Sequence, residues 1–171
     1  MSKVGKFEKV SFETFKHAIR AQSDAITEDG ILDIYNTIKL PNRATTGSAG
    51  YDFYSPIWCE LNPGEAITFP TGIRCLIDDG WFLGIFPRSG LGFKYFCRLA
   101  NTTGIIDADY SLSDNEGHIM MKLRNESDDK VLTINRGDAI AQGIFLPFGI
   151  TIDDQATGRR NGGFGSTGGA Q

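Results

Sequence analysis

The sequence predicts an all-β domain, mostly antiparallel, with a short N-terminal helix and a glycine-rich C-terminal tail. Short runs rich in β-branched and aromatic residues follow one another between Gly, Pro, Asn and Asp residues. No long helical pattern separates these runs, which favours a barrel or sandwich over a parallel α/β sheet. The 21 glycines and 12 phenylalanines are typical of turn-rich, aromatic-packed β structure.

The N-terminal extension, residues 1–30, is expected to be partly helical. Phe12, Phe15 and Ile19 lie at helical spacing within the segment SFETFKHAIRAQ. Ser11 precedes them and is a favoured N-cap residue. The extension therefore predicts one short amphipathic helix before the β domain.

The β domain is expected over residues 31–157 and begins after an acidic turn, TEDG. A chain of 171 residues fits one domain with one hydrophobic core. The predicted strand segments are ILDIYNTIKL, AITFPTGIRCLI, WFLGIFP, EGHIMMKLRN, KVLTI and AIAQGIFLP.

The last segment, residues 158–171, predicts a C-terminal lid. Its many glycines surround a single aromatic residue, Phe164, so it cannot form a stable helix or strand alone. A flexible linker would not explain Phe164. We expect the lid to be mobile until a ligand orders it.

Composition excludes several classes of protein. The net charge of −4 and the pI near 5.1 argue against a broad basic surface for nucleic acid. The three cysteines are odd in number and lie in apolar runs, which indicates reduced, buried thiols. The N-terminus has no apolar signal region, and no later window approaches a ~20-residue membrane span. We expect a protein without a membrane role, in the cytoplasm, or in the host cytoplasm if it is viral.

Two segments carry the chemistry. Neither His17 nor His118 has the neighbours of a zinc site or a catalytic triad. The segment PRSGLG offers a guanidinium, a hydroxyl and backbone N–H groups in a turn, which suits a phosphate. In NTTGIIDADY, Asp107 follows a hydrophobic run and is expected at a strand end, where a carboxylate can orient a water. Asp109 fits a solvated turn better.

Five segments, in order, resemble the motifs of the trimeric dUTPase family. The resemblance implies a jelly-roll-like β-clip subunit that forms a homotrimer, in which each site takes motifs from more than one chain. It also implies hydrolysis of dUTP to dUMP and pyrophosphate with Mg²⁺, which limits uracil in DNA and supplies dUMP for dTMP synthesis. The segments are ATTGSAGYD, PRSGLGFK, NTTGIIDADY, GDAIAQ and GRRNGGFGSTG.

The resemblance assigns roles around the phosphates. Asp107 matches the aspartate that activates the water attacking the α-phosphorus. Gln142 matches the polar residue near that phosphorus, and Asp52 an aspartate that supports Mg²⁺ indirectly, through water. The residues that match the phosphate-binding turn are Arg88, Ser89 and Gly90.

Further matches concern the base, the sugar and the lid. Tyr110 matches the tyrosine that packs under the sugar and excludes a 2′-hydroxyl. The residues that match the base-reading hairpin are Asn101, Gly104 and Ile106. In the lid, Phe164 matches the aromatic that stacks on uracil, and the residues that match phosphate contacts are Arg159, Gly165, Ser166 and Thr167.

The chain departs from the family pattern at several points. Residues 112–116, LSDNE, look like an insertion after Tyr110. Phe96 stands where a glycine is usual, and Ala139 where arginine is common. Arg160 replaces a glycine, so either Arg159 or Arg160 could clamp the phosphate.

Two other functions stay open at this stage. One is dCTP deamination on the same kind of fold, which the IIDADY segment and the lid oppose. The other is a regulatory protein that uses dUTP as an effector. Residues 1–30 could cap the trimer, bind a protein partner or extend the fold.

Overall fold

The computed structural model describes residues 2–158. Eleven strands and three α-helices form this part of the chain, together with a 3₁₀ helix. In chain order the elements are β1 (Gly5–Lys9), α1 (Phe12–Arg20), α2 (Glu28–Asn36), β2 (Tyr51–Tyr54), β3 (Cys59–Leu61), β4 (Ala66–Pro70), β5 (Ile73–Ile77), β6 (Trp81–Pro87), α3 (Ser89–Tyr95), β7 (Arg98–Leu99), β8 (Gly104–Ile106), the 3₁₀ helix (Ala108–Leu112), β9 (Met120–Arg124), β10 (Leu132–Ile134) and β11 (Ala139–Pro147).

The strands pair antiparallel in four small sheets. The largest has the order β2-β11-β6-β8, and the others are β4-β9-β7, β1-β5 and β10-β3. The runs predicted as strands after residue 65 all contain strands, which confirms the mostly antiparallel β prediction. Strands β1, β2, β3 and β7 had no explicit prediction, because they are short and carry polar residues.

One hydrophobic core joins these sheets. Its fully buried members include Phe53 of β2, Phe69 of β4, Leu83 and Ile85 of β6, and Leu123 of β9. Because β6 contributes three consecutive buried residues, both of its faces are covered, as expected of a strand inside a layered fold. Strand β6 therefore provides a rigid support for its two neighbours in the sheet, β11 and β8.

The predicted N-terminal helix is confirmed. The Ser11 hydroxyl caps α1 by accepting a hydrogen bond from the Thr14 backbone N–H. Phe15 and Ile19 are buried, with Val10 and Ile31, in a second apolar cluster. The helix is thus anchored to the rest of the fold by the apolar side that its spacing indicated.

The prediction of a strand at ILDIYNTIKL is wrong, as is the acidic turn before it. Thr27 is an N-cap whose hydroxyl accepts from the Gly30 N–H, and α2 runs from Glu28 to Asn36. Ile31 and Ile34 lie three positions apart, on one side of this helix, and pack in the apolar cluster beside α1. Helical spacing and a capped start outweigh the β-branched composition here.

The extension also contains a strand that no sequence pattern indicated. Strand β1 pairs with β5 over five residue pairs, from Gly5 opposite Ile77 to Lys9 opposite Ile73. Glu8 is ion-paired to Arg74 at 2.8 Å across this ladder. Among residues 2–158, no helix is long and apolar enough to cross a membrane.

All three cysteines are free and buried, as predicted. Burial raises the pKa of the Cys59 and Cys97 thiols to about 11 and that of Cys75 to about 12. Such thiols stay protonated at neutral pH and behave as small apolar side chains.

Candidate functional site

A cavity of about 190 Å³ lies beside β8 and brings together several residues singled out by sequence. Asn101, Gly104, Ile106 and Tyr110 all line it, and Ile85 of β6 contributes an apolar wall. The volume is below the ~300–1,000 Å³ of a typical small-molecule pocket, so it suits one ring of a ligand better than a whole nucleotide. Apolar walls with a few convergent polar groups are the usual composition of such a site.

Strand β8 forms the edge of the four-stranded sheet, which determines what it can offer a ligand. It pairs with β6 alone, with Ile106 opposite Leu83 and Gly104 opposite Ile85. An edge strand presents one row of backbone N–H and C=O groups that no neighbouring strand uses. Those groups, with the Asn101 amide, can donate to and accept from the edge of a planar base.

The predicted base-reading hairpin is wrong in its connectivity. Strand β7 pairs with β9, whereas β8 pairs with β6, so the turn between them joins two different sheets. The Thr102 N–H donates to Leu99 O at 2.9 Å, and Thr102 adopts φ +65. Asn101 therefore lies at a corner between sheets, next to the cavity, rather than at the tip of a hairpin.

Among the predicted site residues within 2–158, Tyr110 is the most buried, with 5% of its surface exposed. It lies in the 3₁₀ helix that follows β8. Its hydroxyl donates to the His118 carbonyl at 2.9 Å and accepts from Asn115 Nδ2 at 3.0 Å. Because the hydroxyl is held from two sides, the ring has a fixed position at the cavity wall.

Asp107 directly follows β8, at a strand end as predicted. Its backbone carbonyl accepts from the Tyr110 N–H at 3.1 Å, which starts the 3₁₀ helix. Its side chain lines a shallow depression of about 440 Å³ that also includes Asp79 and Asp109. The depression is open to water, Asp107 is half-buried there, and Asp109 is exposed as expected.

A second group of predicted residues meets near the C-terminal end of β6. Asp52 of β2 stands opposite Gln142 of β11, and Arg88 follows the end of β6. The Arg88 Nε atom lies 3.3 Å from Asp52 Oδ1, and Gln142 Nε2 donates to Pro87 O at 3.4 Å. A guanidinium carries five N–H donors, so the contact with Asp52 leaves donors for an anion.

The predicted turn at PRSGLG is instead the start of a short helix. Ser89 and Gly90 form the first turn of α3, and both are exposed. Phe96 ends the helix in the left-handed conformation, at φ +50. That conformation favours glycine, which gives a physical reason for the glycine usual at this position and none for Phe96.

Within one chain, Asp107 and Arg88 lie toward opposite ends of β6. Ile106 is opposite Leu83, and Arg88 lies 88 − 83 = 5 positions further along. At a rise of ~3.3 Å per residue, this separates Ile106 from Arg88 by about 16 Å along β6. Asp107, one position beyond Ile106, is further still from Arg88.

One loop of the site contains none of the predicted site residues. Glu116, within residues 112–116, accepts hydrogen bonds from Ser11 and Thr14, and Asn115 contacts Tyr110. The Gly72 N–H donates to His118 Nε2 at 2.8 Å, and burial lowers the pKa of this histidine to about 4. The only sequence signal was the run of Ser, Asp and Asn, which marks a turn but not its partners.

The predicted lid residues Arg159, Phe164, Gly165, Ser166 and Thr167 lie outside the described residues. Residues 2–158 contain no group of three or more His, Cys, Asp or Glu side chains that could hold a metal ion.

Comparison with known proteins identifies similar sequences over most of the chain. A family model described as dUTPase matches residues 36–168. The deoxyuridine 5'-triphosphate nucleotidohydrolase of Lactococcus lactis subsp. lactis (strain IL1403) is 40% identical over 134 residues, which cover 77% of this chain and 89% of that protein. The protein of the same name from Actinobacillus pleuropneumoniae serotype 5b (strain L20) is 43% identical over 148 residues, 81% of this chain and 94% of that protein.

A solved structure has the same fold. The crystal structure of dUTPase from Streptococcus mutans superposes with a TM-score of 0.63 at 30% identity, covering 86% of this chain and 98% of that one. This similarity confirms the all-β, jelly-roll-like β-clip fold.

Proposed function

Because the chain belongs to the dUTPase family, we propose that it hydrolyses dUTP to dUMP and pyrophosphate. The observation that carries the proposal is the cavity beside β8, where Asn101, Gly104, Ile106 and Tyr110 converge on a space suited to one ring. The reaction limits uracil incorporation into DNA and supplies dUMP for dTMP synthesis. The three buried, reduced thiols suit a protein of the cytoplasm, where nucleotide pools are maintained.

Uracil occupies the cavity in this proposal. The outer edge of β8 and the Asn101 amide pair with the donor and acceptor atoms of the base, much as adenine would. Cytosine presents a different pattern and would leave buried groups unpaired, which costs several powers of ten in selectivity. The fixed ring of Tyr110 lies under the sugar and leaves no room for a 2′-hydroxyl.

Asp107 orients the attacking water and accepts its proton. The water attacks the α-phosphorus, the bond to the bridging oxygen breaks, and pyrophosphate leaves. A positioned carboxylate of this kind contributes roughly 10²- to 10⁴-fold. The position of Asp107 at a strand end, on an open depression, supports this role.

The phosphates are held by Arg88, by Ser89 with the backbone N–H of Gly90, and by Gln142. The ion pair with Asp52 keeps Arg88 at the end of the sheet, in position for an anion. Fixed donors of this kind supply the larger share of the stabilisation in phosphoryl chemistry. Of the lid, Phe164 is proposed to stack on the base, while Arg159, Gly165, Ser166 and Thr167 contact the phosphates.

Mg²⁺ fits this site only as an ion carried by the substrate. One carboxylate, Asp52, lies beside Arg88, and a hard ion that keeps part of its hydration shell on a triphosphate needs no larger set of protein ligands. Asp52 would hold it through water. When bound, Mg²⁺ neutralises negative charge on the phosphates.

We further propose that the working unit is a homotrimer with shared sites. The separation of about 16 Å between the ends of β8 and β6 supports this, because Asp107 and Arg88 of one chain lie too far apart to flank one phosphate. Asp107 of one copy would then face Arg88 of another. Each chain of the trimer is proposed to consist of an N-terminal extension (residues 1–30), a β domain (31–157) and a C-terminal lid (158–171).

Replacement of Asp107 by asparagine tests the assignment. We expect Asp107→Asn to reduce pyrophosphate release from dUTP by roughly 10²- to 10⁴-fold while the protein still binds a non-hydrolysable dUTP analogue. Asp79→Asn is a matched control, since Asp79 is exposed in the same depression. Unchanged turnover in Asp107→Asn would exclude the proposed role, and ammonia release from dCTP without pyrophosphate release from dUTP would exclude the reaction.

A further inference from the structure

The N-terminal extension is connected to the wall of the cavity by a chain of hydrogen bonds. The carboxylate of Glu116 accepts from the Ser11 N–H at 2.8 Å, from the Ser11 hydroxyl at 2.5 Å and from the Thr14 hydroxyl at 2.6 Å. Ser11 is itself the N-cap of α1. A carboxylate at this place is favoured by the helix N-terminus as well as by the three donors.

The contact with Glu116 is charge-assisted. Burial raises the pKa of Glu116, but hydrogen bonds from Ser11 and Thr14 outweigh this, so that the pKa falls below its ordinary value. An ionised carboxylate forms shorter and stronger hydrogen bonds than a neutral acceptor does. The contact therefore fixes the loop to α1 at neutral pH.

Asn115, which precedes Glu116 in the loop, connects the contact with α1 to Tyr110. Asn115 Nδ2 donates to the Tyr110 hydroxyl at 3.0 Å, while Asn115 Oδ1 accepts from the Gly117 N–H at 3.1 Å. The same hydroxyl donates to the His118 carbonyl at 2.9 Å. Asn115 thus supplies one of the contacts that fix the hydroxyl end of the ring.

The backbone of the loop is held in an unfavourable conformation. Glu116 has φ +59 and Gly117 has φ +72, so two consecutive residues are left-handed. A residue with a side chain adopts this conformation only where its surroundings hold it there. At Glu116 the three donors of α1 provide that restraint.

We propose that Asn115 is a positioning residue for Tyr110, and that Glu116 holds this loop in place through its contacts with Ser11 and Thr14. The N-terminal extension thereby contributes to the selection of deoxyribose. The inference rests on the proposed role of Tyr110 in excluding a 2′-hydroxyl. The family model begins at residue 36, so Ser11 and Thr14 precede the matched region. The extension would thus affect the selectivity for deoxyribose without touching the substrate itself.

The test is the ratio of kcat/KM for dUTP to kcat/KM for UTP, because general damage to the enzyme lowers both values and leaves their ratio unchanged. Loss of one neutral hydrogen bond on a positioned group corresponds to roughly five- to tenfold. We expect Asn115→Ala and Glu116→Ala each to lower the ratio by about that factor. Asp114→Ala is the control, since Asp114 is an exposed neighbour in the same loop, and it should leave the ratio unchanged.

Conservative variants separate positioning from folding. Asn115→Asp keeps the acceptor for the Gly117 N–H and removes the amide donor to Tyr110, so it should lower the ratio without unfolding the loop even where Asn115→Ala fails to fold. Glu116→Gln keeps an acceptor for α1 and should retain more of the ratio than Glu116→Ala.

A further variant, Tyr110→Ala, distinguishes the role of Tyr110 itself from the positioning of Tyr110 by Asn115 and Glu116. A large fall of the ratio in Tyr110→Ala, with ratios within about twofold of wild type in the Asn115 and Glu116 variants, would overturn the positioning role alone. An unchanged ratio in Tyr110→Ala would overturn the proposed role of Tyr110 and the inference with it.

Discussion

His118 makes the stability of the fold dependent on pH in a predictable direction. The ring is 2% exposed, and its Nε2 accepts the Gly72 N–H, so the folded chain holds it neutral. Burial lowers its pKa to about 4 from the ordinary 6.5, against an opposing effect of Glu116. Protonation would place a second N–H against the Gly72 donor at 2.8 Å.

The free energy of unfolding changes with pH because the folded and unfolded chains bind a proton at His118 with different affinity. Above pH 6.5 the ring is neutral in both, so the free energy of unfolding does not change. As the pH falls from 6.5 towards 4, the unfolded chain takes up a proton that the folded chain refuses, and unfolding becomes easier. Each pH unit between the two pKa values costs about 1.4 kcal/mol, and pH 5 lies about 1.5 units below the unfolded pKa. The loss at pH 5 is therefore about 2 kcal/mol per chain, and below the folded pKa the free energy of unfolding falls no further.

Urea unfolding at pH 7.5 and at pH 5 measures this loss. His118→Gln keeps an oxygen acceptor for the Gly72 N–H but does not titrate, so it should lose about 2 kcal/mol less than wild type between the two pH values. His17→Gln is the matched control, because His17 is exposed, and it should behave as wild type does. Equal losses in wild type and His118→Gln would show that His118 does not cause the pH dependence.

Three further predictions follow from packing. In Gly50→Ala the new methyl lies 2.5 Å from Gln142 Oε1, and displacing that side chain should lower kcat by about 10- to 100-fold with an unchanged melting temperature. Gly117→Ala, at φ +72 and 2.6 Å from Ser111 Cα, should cost about 2–4 kcal/mol in urea unfolding, and an equal midpoint would contradict it. A disulfide reagent at pH 8 should label the thiols of Cys59, Cys75 and Cys97 only after denaturation. Rapid labelling of the native protein would contradict their burial.

The sequence was sufficient where local patterns and tertiary environment agree. The β-branched and aromatic runs became strands because each contributes side chains to one core, as Leu83 and Ile85 do for WFLGIFP. Ser11 was recognisable as a cap because its hydroxyl acts on its own helix. The five motifs were sufficient to identify the family.

Prediction failed where the partner of a segment decides its structure. ILDIYNTIKL has the composition of a strand, but the contacts of Ile31 and Ile34 with α1 favour the helix. The Asn101 turn resembles a hairpin locally, but β7 and β8 belong to different sheets. The contact of Glu116 with Ser11 joins residues 105 positions apart, which no local pattern encodes.

Mixed trimers test the central claim that one site combines Asp107 of one copy with Arg88 of another. Asp107→Asn and Arg88→Ala would each be inactive alone. In trimers reassembled from equal amounts of both, the chance that a site has both intact residues is about one half times one half. We expect dUTP hydrolysis at about a quarter of the wild-type rate per site, since each site draws on two chains. A mixture as inactive as either parent would contradict it and place both residues in one chain's site.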